Sequence, residues 1–270
     1  MSGSQPIRVG AVSYLNTKPL IHRFEQFAPQ ARLLLDYPSR LADSLSAGTL
    51  DVALIPSIEF FQDSTYTIVS DACIACRGPV LSVKLFFRVE PAAVRTLALD
   101  EGSRTSAALS KVLLFERHAL RPRCESLPVE ASFASTTADA VLMIGDRAMH
   151  EPAGEFVAVW DLGEEWVRQT RLPFVFAMWT ARAGVDLQGL EAALEGARDA
   201  GEASLEAIAR REAPPLRLTP ERCLGYLRDN LYFHLGPNER RGLALFHRRA
   251  QQLGLAPAGV DIDSFHHENA

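Results

Sequence analysis

Ile7-Arg8-Val9-Gly10-Ala11-Val12-Ser13-Tyr14-Leu15-Asn16-Thr17-Lys18-Pro19 decides how the rest of the chain is read. Ile7 to Val12 is a short apolar run with the pattern of a buried strand. Asn16 or Thr17 then caps a helix that tolerates Pro19 in its first turn. Between strand and helix lies a loop of hydroxyl and amide side chains. The same rhythm continues downstream. Ala31 to Tyr37 reads as a second strand, and Ser39 to Ala47 as a helix stopped by Gly48. Asp51 to Ile55 reads as a third strand, after which Pro56-Ser57 opens a helical turn through Phe61. Strand and helix in alternation call for right-handed crossovers and a mostly parallel sheet, the α/β class.

Further along, Leu81 to Val89 is long, extended and apolar, and a fresh α/β unit follows it. That unit has a strand at Thr96–Leu99, a loop at Asp100-Glu101-Gly102-Ser103-Arg104 and a helix from Thr105 to His118. More strands are expected at Ala140–Ile144 and Phe156–Trp160. A second extended run, Pro173 to Thr180, mirrors the first. Helices alone follow it, over Leu187–Arg211, Pro220–Asn230 and Pro237–Leu253. Two extended runs bracketing a separate α/β unit suggest a chain that leaves one lobe and returns. On this reading lobe one is residues 1–85 plus 182–270, lobe two is 86–181, and the extended runs are the crossings. One continuous doubly wound sheet is the alternative. The His266-His267-Glu268 end reads as a solvated tail.

The chain has 270 residues, with 47% hydrophobic and 23% charged, which suits a packed globular protein and not a disordered one. Its 28 Lys+Arg against 33 Asp+Glu give a net charge of −5, so the basic excess that displaces counterions from nucleic acid is missing. No apolar stretch approaches the ~20 residues of a membrane span, and no export signal is visible, so the expected compartment is the cytoplasm. The cysteines, Cys73, Cys76, Cys124 and Cys223, do not form a disulfide framework in a chain this long. Cys73 and Cys76 have zinc-ligand spacing but no second pair, so buried free thiols are expected. No dinucleotide fingerprint, Walker loop or nucleophile elbow occurs, and no metal is expected.

In open α/β sheets ligands sit at the carboxyl ends of strands, where helix N-termini aim free N–H groups inward. The loops at those places carry Ser13, Asn16 and Thr17, then Ser57, then Ser103, Thr105 and Ser106, with Ser82 beside the first extended run. Each can simply cap a helix, but their recurrence points to a site that binds anionic groups through hydroxyls, amides and helix N-termini. Asp146, after the strand ending at Ile144, caps the next helix or faces the ligand.

Arg8-Val-Gly-Ala-Val-Ser-Tyr-Leu-Asn-Thr-Lys-Pro-Leu20 resembles the opening motif of the chorismate dehydratases of the futalosine route to menaquinone. The likeness continues through Asp51-Val-Ala-Leu-Ile-Pro-Ser-Ile-Glu59, Gly78-Pro-Val-Leu-Ser-Val83 and Leu99-Asp-Glu-Gly-Ser-Arg-Thr-Ser106. Ile144-Gly-Asp146, Asp161-Leu-Gly-Glu-Glu-Trp166 and Leu172-Pro-Phe-Val-Phe-Ala177 complete the series. One departure is Arg171, where the family is expected to carry glycine. The resemblance implies a two-lobed fold like the type II periplasmic binding proteins, with the ligand in the cleft between lobes joined by two crossing strands. It also implies the loss of water from chorismate to give 3-[(1-carboxyvinyl)oxy]benzoate, without metal or cofactor. A later enzyme of the same pathway, 1,4-dihydroxy-6-naphthoate synthase, and a non-catalytic solute-binding protein share that architecture and are the alternatives.

On this reading Asn16 and Ser82 are the catalytic candidates. Asn16 orients the leaving hydroxyl, and Ser82 binds that hydroxyl or a carboxylate. Ser13, Thr17, Ser57, Ser103, Thr105, Ser106, Asp146 and Phe174 are assigned to substrate binding, with the helix N-termini at Thr17 and Thr105 offsetting negative charge. The expected base is the substrate's own enolpyruvyl carboxylate, with Glu59 and Asp146 as protein alternatives. Lobe closure excludes water.

Overall fold

The computed structural model describes residues 6–258 apart from Glu151 and Ala153, so the His266-His267-Glu268 tail lies outside the described residues. Its strands are β1 (Ile7–Val12), β2 (Ala31–Asp36), β3 (Val52–Pro56), β4 (Thr67–Cys76), β5 (Val83–Phe87), β6 (Thr96–Asp100), β7 (Arg123–Leu127), β8 (Ala140–Ile144), β9 (Ala158–Asp161), β10 (Phe174–Ala181) and β11 (Tyr232–His234). Its α-helices are α1 (Phe24–Phe27), α2 (Pro38–Ser46), α3 (Ser57–Phe60), α4 (Arg104–His118), α5 (Leu162–Thr170), α6 (Leu190–Glu202), α7 (Leu205–Leu216), α8 (Pro220–Gly225) and α9 (Pro237–Gln252).

Two sheets form, not one continuous sheet. The first is ordered β11-β4-β10-β3-β1-β2, the second β7-β6-β8-β5-β9. The alternation of strand and helix is met by parallel pairs of β1 with β2 and β3 and of β6 with β8, and β6 also pairs parallel with β7, a strand the sequence did not announce. Antiparallel strands complete both sheets, β10 between β3 and β4, and β5 between β8 and β9. Both sheets are therefore mixed.

The crossings differ from the expected ones. β5 belongs wholly to the second sheet and β10 wholly to the first, so neither extended run bridges the lobes. The chain passes over in the short segments 77–82 and 171–173. By sheet membership, 83–87 goes with lobe two and 174–181 with lobe one. β10 is buried along its full length, flanked by β3 and β4, and an apolar run buried on both faces reads alike in either sheet.

Local chemistry accounts for the other departures. The helix expected from Asn16 is a single 3-10 turn over Leu15–Thr17, with the short α1 further on. The helix expected over Leu187–Arg211 breaks between α6 and α7. Arg171 sits at the C-cap of α5 with φ 59, a left-handed conformation that favours glycine, which explains why glycine is expected at that position. The core beneath the second crossing is aromatic. Trp166 Nε1 donates to the Pro173 carbonyl at 3.0 Å, and the Phe174 ring meets Trp166 at 5.2 Å and Phe246 at 4.9 Å. Among the described residues no helix is long and apolar enough to cross a membrane.

Candidate active site

A narrow cleft opens between the two sheets. The carboxyl end of β1 supplies Val12, Tyr14 and Asn16. The first crossing supplies Val80 and Ser82, and the start of α4 supplies Ser103 and Ser106. Ile144 and Gly145 come from the end of β8, and Phe176 with Ala177 from β10. The lining is apolar with a few hydroxyl and amide groups, and no charged side chain is among these residues.

Ser82 is presented by a loop held from two sides. Asp161, the N-cap of α5, accepts from Gly163 and Glu164 in its own helix. Its carboxylate also takes the Val80 and Leu81 amides, at 2.9 and 2.6 Å. Leu81 follows in a left-handed conformation, φ 60. Gly163 lets the backbone of this crossing come close, since a Cβ there would lie 2.7 Å from the Gly78 carbonyl. From the other side Tyr226 donates its hydroxyl to Ser82 Oγ at 2.8 Å.

At the start of α4, Ser103 caps the helix by accepting from the Ser106 amide, and the two hydroxyls pair at 2.8 Å. Asp100 holds this turn by accepting from Gly102 and Ile144, and it pairs with Arg147. Tyr14 reaches across from the first sheet and packs on Gly145. A Cβ at Gly145 would sit 2.7 Å from the Tyr14 ring, and φ there is +71. Burial pushes the Tyr14 phenol well above its ordinary range, so it remains a neutral donor.

Of the residues expected from sequence, Asn16, Ser82, Ser103 and Ser106 line the cleft. The others stand outside its lining. Ser13 donates its amide to the Asp36 carbonyl, and Thr17 is buried with its hydroxyl on Asn16 Oδ1. Ser57 donates to the Val175 carbonyl at 2.8 Å and faces Thr105 Oγ1 at 3.3 Å, while Thr105 Oγ1 accepts from the Ile58 amide. Asp146 accepts from the Leu15 amide of the other lobe at 3.0 Å, which caps the 3-10 turn carrying Asn16. Burial raises its carboxyl to about 6. Phe174 is in the aromatic core, and its neighbour Phe176 is the ring that reaches the cleft.

Glu59 is paired with Arg104 at 2.9 Å outside the cleft. Cys73 and Cys76 are buried free thiols, and among the described residues no group of three His, Cys, Asp or Glu side chains is arranged to hold a metal. Sequence reasoning passed over Tyr14, Phe176 and Tyr226. Tyr14 stood within the quoted loop, but nothing local marks Tyr226.

Comparison with known proteins adds to this geometry. A chorismate dehydratase of Thermus thermophilus is 35% identical over 273 residues, covering 93% of this chain and 96% of its own. A crystal structure of an Archaeoglobus fulgidus protein superposes with a TM-score of 0.73 at 16% identity, covering 94% of this chain and 99% of that one. The periplasmic aliphatic sulphonate binding protein of Escherichia coli superposes with a TM-score of 0.62 at 14% identity, covering 96% and 91%. These likenesses give the fold, that of the periplasmic binding proteins. The family described as menaquinone biosynthesis matches residues 7–252, and with a near full-length relative in hand the chain belongs to that family.

Proposed function

We propose that the cleft binds chorismate and removes water across C3 and C4, giving 3-[(1-carboxyvinyl)oxy]benzoate for menaquinone biosynthesis. The observation that carries this is the 35% identity, over nearly the whole of both chains, with the Thermus chorismate dehydratase. The chemistry of the lining agrees with it. The substrate is a dicarboxylate with a hydroxyl to lose, and the cleft offers uncharged donors on an apolar surface. The N-terminus of α4, with the Ser103 and Ser106 hydroxyls, takes one carboxylate. Asn16 and Ser82 hold the C4 hydroxyl as it leaves.

The base is the substrate's own enolpyruvyl carboxylate. No carboxylate, histidine or lysine is among the lining residues, Glu59 is committed to Arg104 and Asp146 to the Leu15 amide. That carboxylate takes the C3 proton, the C3–H electron pair forms the new ring double bond as the C4–O bond breaks, and the departing hydroxide takes the proton back from the carboxyl group and leaves as water from an aromatic ring. The elimination is redox-neutral and calls for no nicotinamide or flavin. The protein contributes conformer selection and desolvation, effects that are worth several kcal/mol. We place the enzyme in the cytoplasm, where its free thiols, the exposed Cys124 among them, stay reduced.

The test is direct. Purified protein incubated with chorismate is expected to form the aromatic enol ether and one equivalent of water, followed by chromatography and mass. Binding of chorismate without conversion would overturn the reading in favour of a solute-binding protein.

A further inference from the structure

We infer that Tyr226 is a positioning residue for this elimination, one that fixes the Ser82 hydroxyl with its proton turned into the cleft. The inference rests on the dehydratase reading and adds a residue that no cleft-facing pattern marks.

A serine hydroxyl has one proton and accepts through its oxygen. Tyr226 donates to Ser82 Oγ at 2.8 Å, so the serine's own proton is left for another acceptor. Both residues are 1% exposed, and Ser82 also lines the cleft. The free proton therefore meets whatever oxygen the substrate places there. Asn16, whose Oδ1 accepts from Thr17 Oγ1 at 3.2 Å, lies close to the same phenol. The Tyr226–Ser82 bond thus ends at the cleft, and hydrogen-bonded hydroxyls of this kind polarise one another. Burial pushes the phenol far above its ordinary range, which keeps it a donor at every working pH.

The backbone supports this placement independently. Tyr226 begins a single π-turn, Tyr226–Asn230, wedged after α8, a distortion frequent at functional positions. Asn230, at the other end of that turn, donates Nδ2 to the Pro79 carbonyl at 2.8 Å. The π-turn therefore holds the Ser82 crossing at two points, one through the backbone and one through the hydroxyl itself.

The test uses the full-length protein with Tyr226→Phe, Ser82→Ala and the double variant. Tyr226→Phe keeps the ring and removes only the donor. Its kcat for chorismate is expected to fall roughly 10- to 100-fold, with KM within about threefold of wild type. The double variant is expected to be no slower than Ser82→Ala alone. Crystal structures of wild type and Tyr226→Phe give a second readout, the Ser82 side chain, expected in one rotamer in the first and several in the second. An unchanged kcat in Tyr226→Phe, multiplied losses in the double variant, or a single unchanged Ser82 rotamer would overturn the inference. A wild-type protein that leaves chorismate intact would instead sink the dehydratase reading, while the rotamer comparison still decides the positioning.

Discussion

Ser57 and Thr105 sit on the seam where the lobes touch, fully buried, with both hydroxyl oxygens already committed to the backbone or to each other. Asn16, Ser82, Ser103 and Ser106 are chemically the same kind of residue, yet they line the cleft. The two sets come from the same loops: Thr105 lies between Ser103 and Ser106, and Thr17 follows Asn16. Direction separates them. On the first turn of α4, the side chains at Ser103 and Ser106 share one face, and the one at Thr105 is rotated away toward α3. A polar side chain in a site loop is therefore a ligand-binding group only when its neighbours leave part of its hydrogen-bonding capacity unused. The seam residues have little left, and their work is to hold the lobes in register.

The largest expected effect breaks or keeps this division on the cleft side. Asn16→Asp preserves the size of the side chain and keeps an oxygen to accept from the Thr17 hydroxyl. It also removes an amide donor and sets a negative charge beside a dicarboxylate. Turnover of chorismate is expected to fall by a factor of about 100 or more, which is at least ~2.7 kcal/mol of transition-state stabilisation, with Tm nearly unchanged. Near-normal turnover in a stable protein would move Asn16 across to the structural set.

Asp146 tests the seam through pH. Its carboxyl is raised from 3.8 to about 6, first by burial, with the Leu15 amide working against that. A raised acid binds more protons folded than unfolded between about pH 4 and 6, so its contribution is complete below that window and lost as pH rises through it. Asp146→Asn keeps an oxygen for the Leu15 amide and removes the charge. The variant is expected to match wild type near pH 4 and to exceed it by about 3 kcal/mol at pH 8, a Tm gain of roughly 6–12 °C. Parallel Tm curves for the two proteins from pH 4 to 8 would remove the buried charge from the account of the seam.

The sequence carried the architecture further than the site. Strands β1, β3 and β6 announce themselves as apolar runs ending in loops that carry hydroxyls, β8 as an apolar run ending at Gly145-Asp146, and two α/β units were visible as such. Pairing partners were not visible, because a side-chain pattern states which faces are buried and not which strand lies alongside. Hence β10 was read as a crossing, when it is the strand that joins β3 to β4. β7 escaped for the opposite reason, since four of its five residues, Arg123 to Ser126, are exposed at the edge of the sheet and only Leu127 is buried. Asp146 was legible as a cap, although the turn it caps belongs to the other lobe. Tyr226 was not legible at all. Its one telling contact spans 144 positions in the chain, and no local spacing encodes a contact of that separation.

The smallest expected effect sharpens the comparison from the seam side. Ser57→Ala removes the donor to the Val175 carbonyl and the partner of the Thr105 hydroxyl, both in a fully buried place. Losing a buried hydrogen bond and leaving a polar group unpaired costs about 2 kcal/mol, a Tm drop of roughly 4–8 °C in a chain of this size. Because Ser57 is not itself among the lining residues, kcat for chorismate at a temperature well below Tm is expected to stay within about twofold of wild type. Thermal unfolding and turnover measured on one preparation separate the alternatives. If turnover collapses while Tm holds, Ser57 reaches the substrate after all, and the line between seam and cleft has to be redrawn through α3. If Tm falls and turnover holds, the hydroxyl at Ser57 is what its geometry says: a fastening between lobes whose partners are the Val175 carbonyl of β10 and the Thr105 hydroxyl of α4.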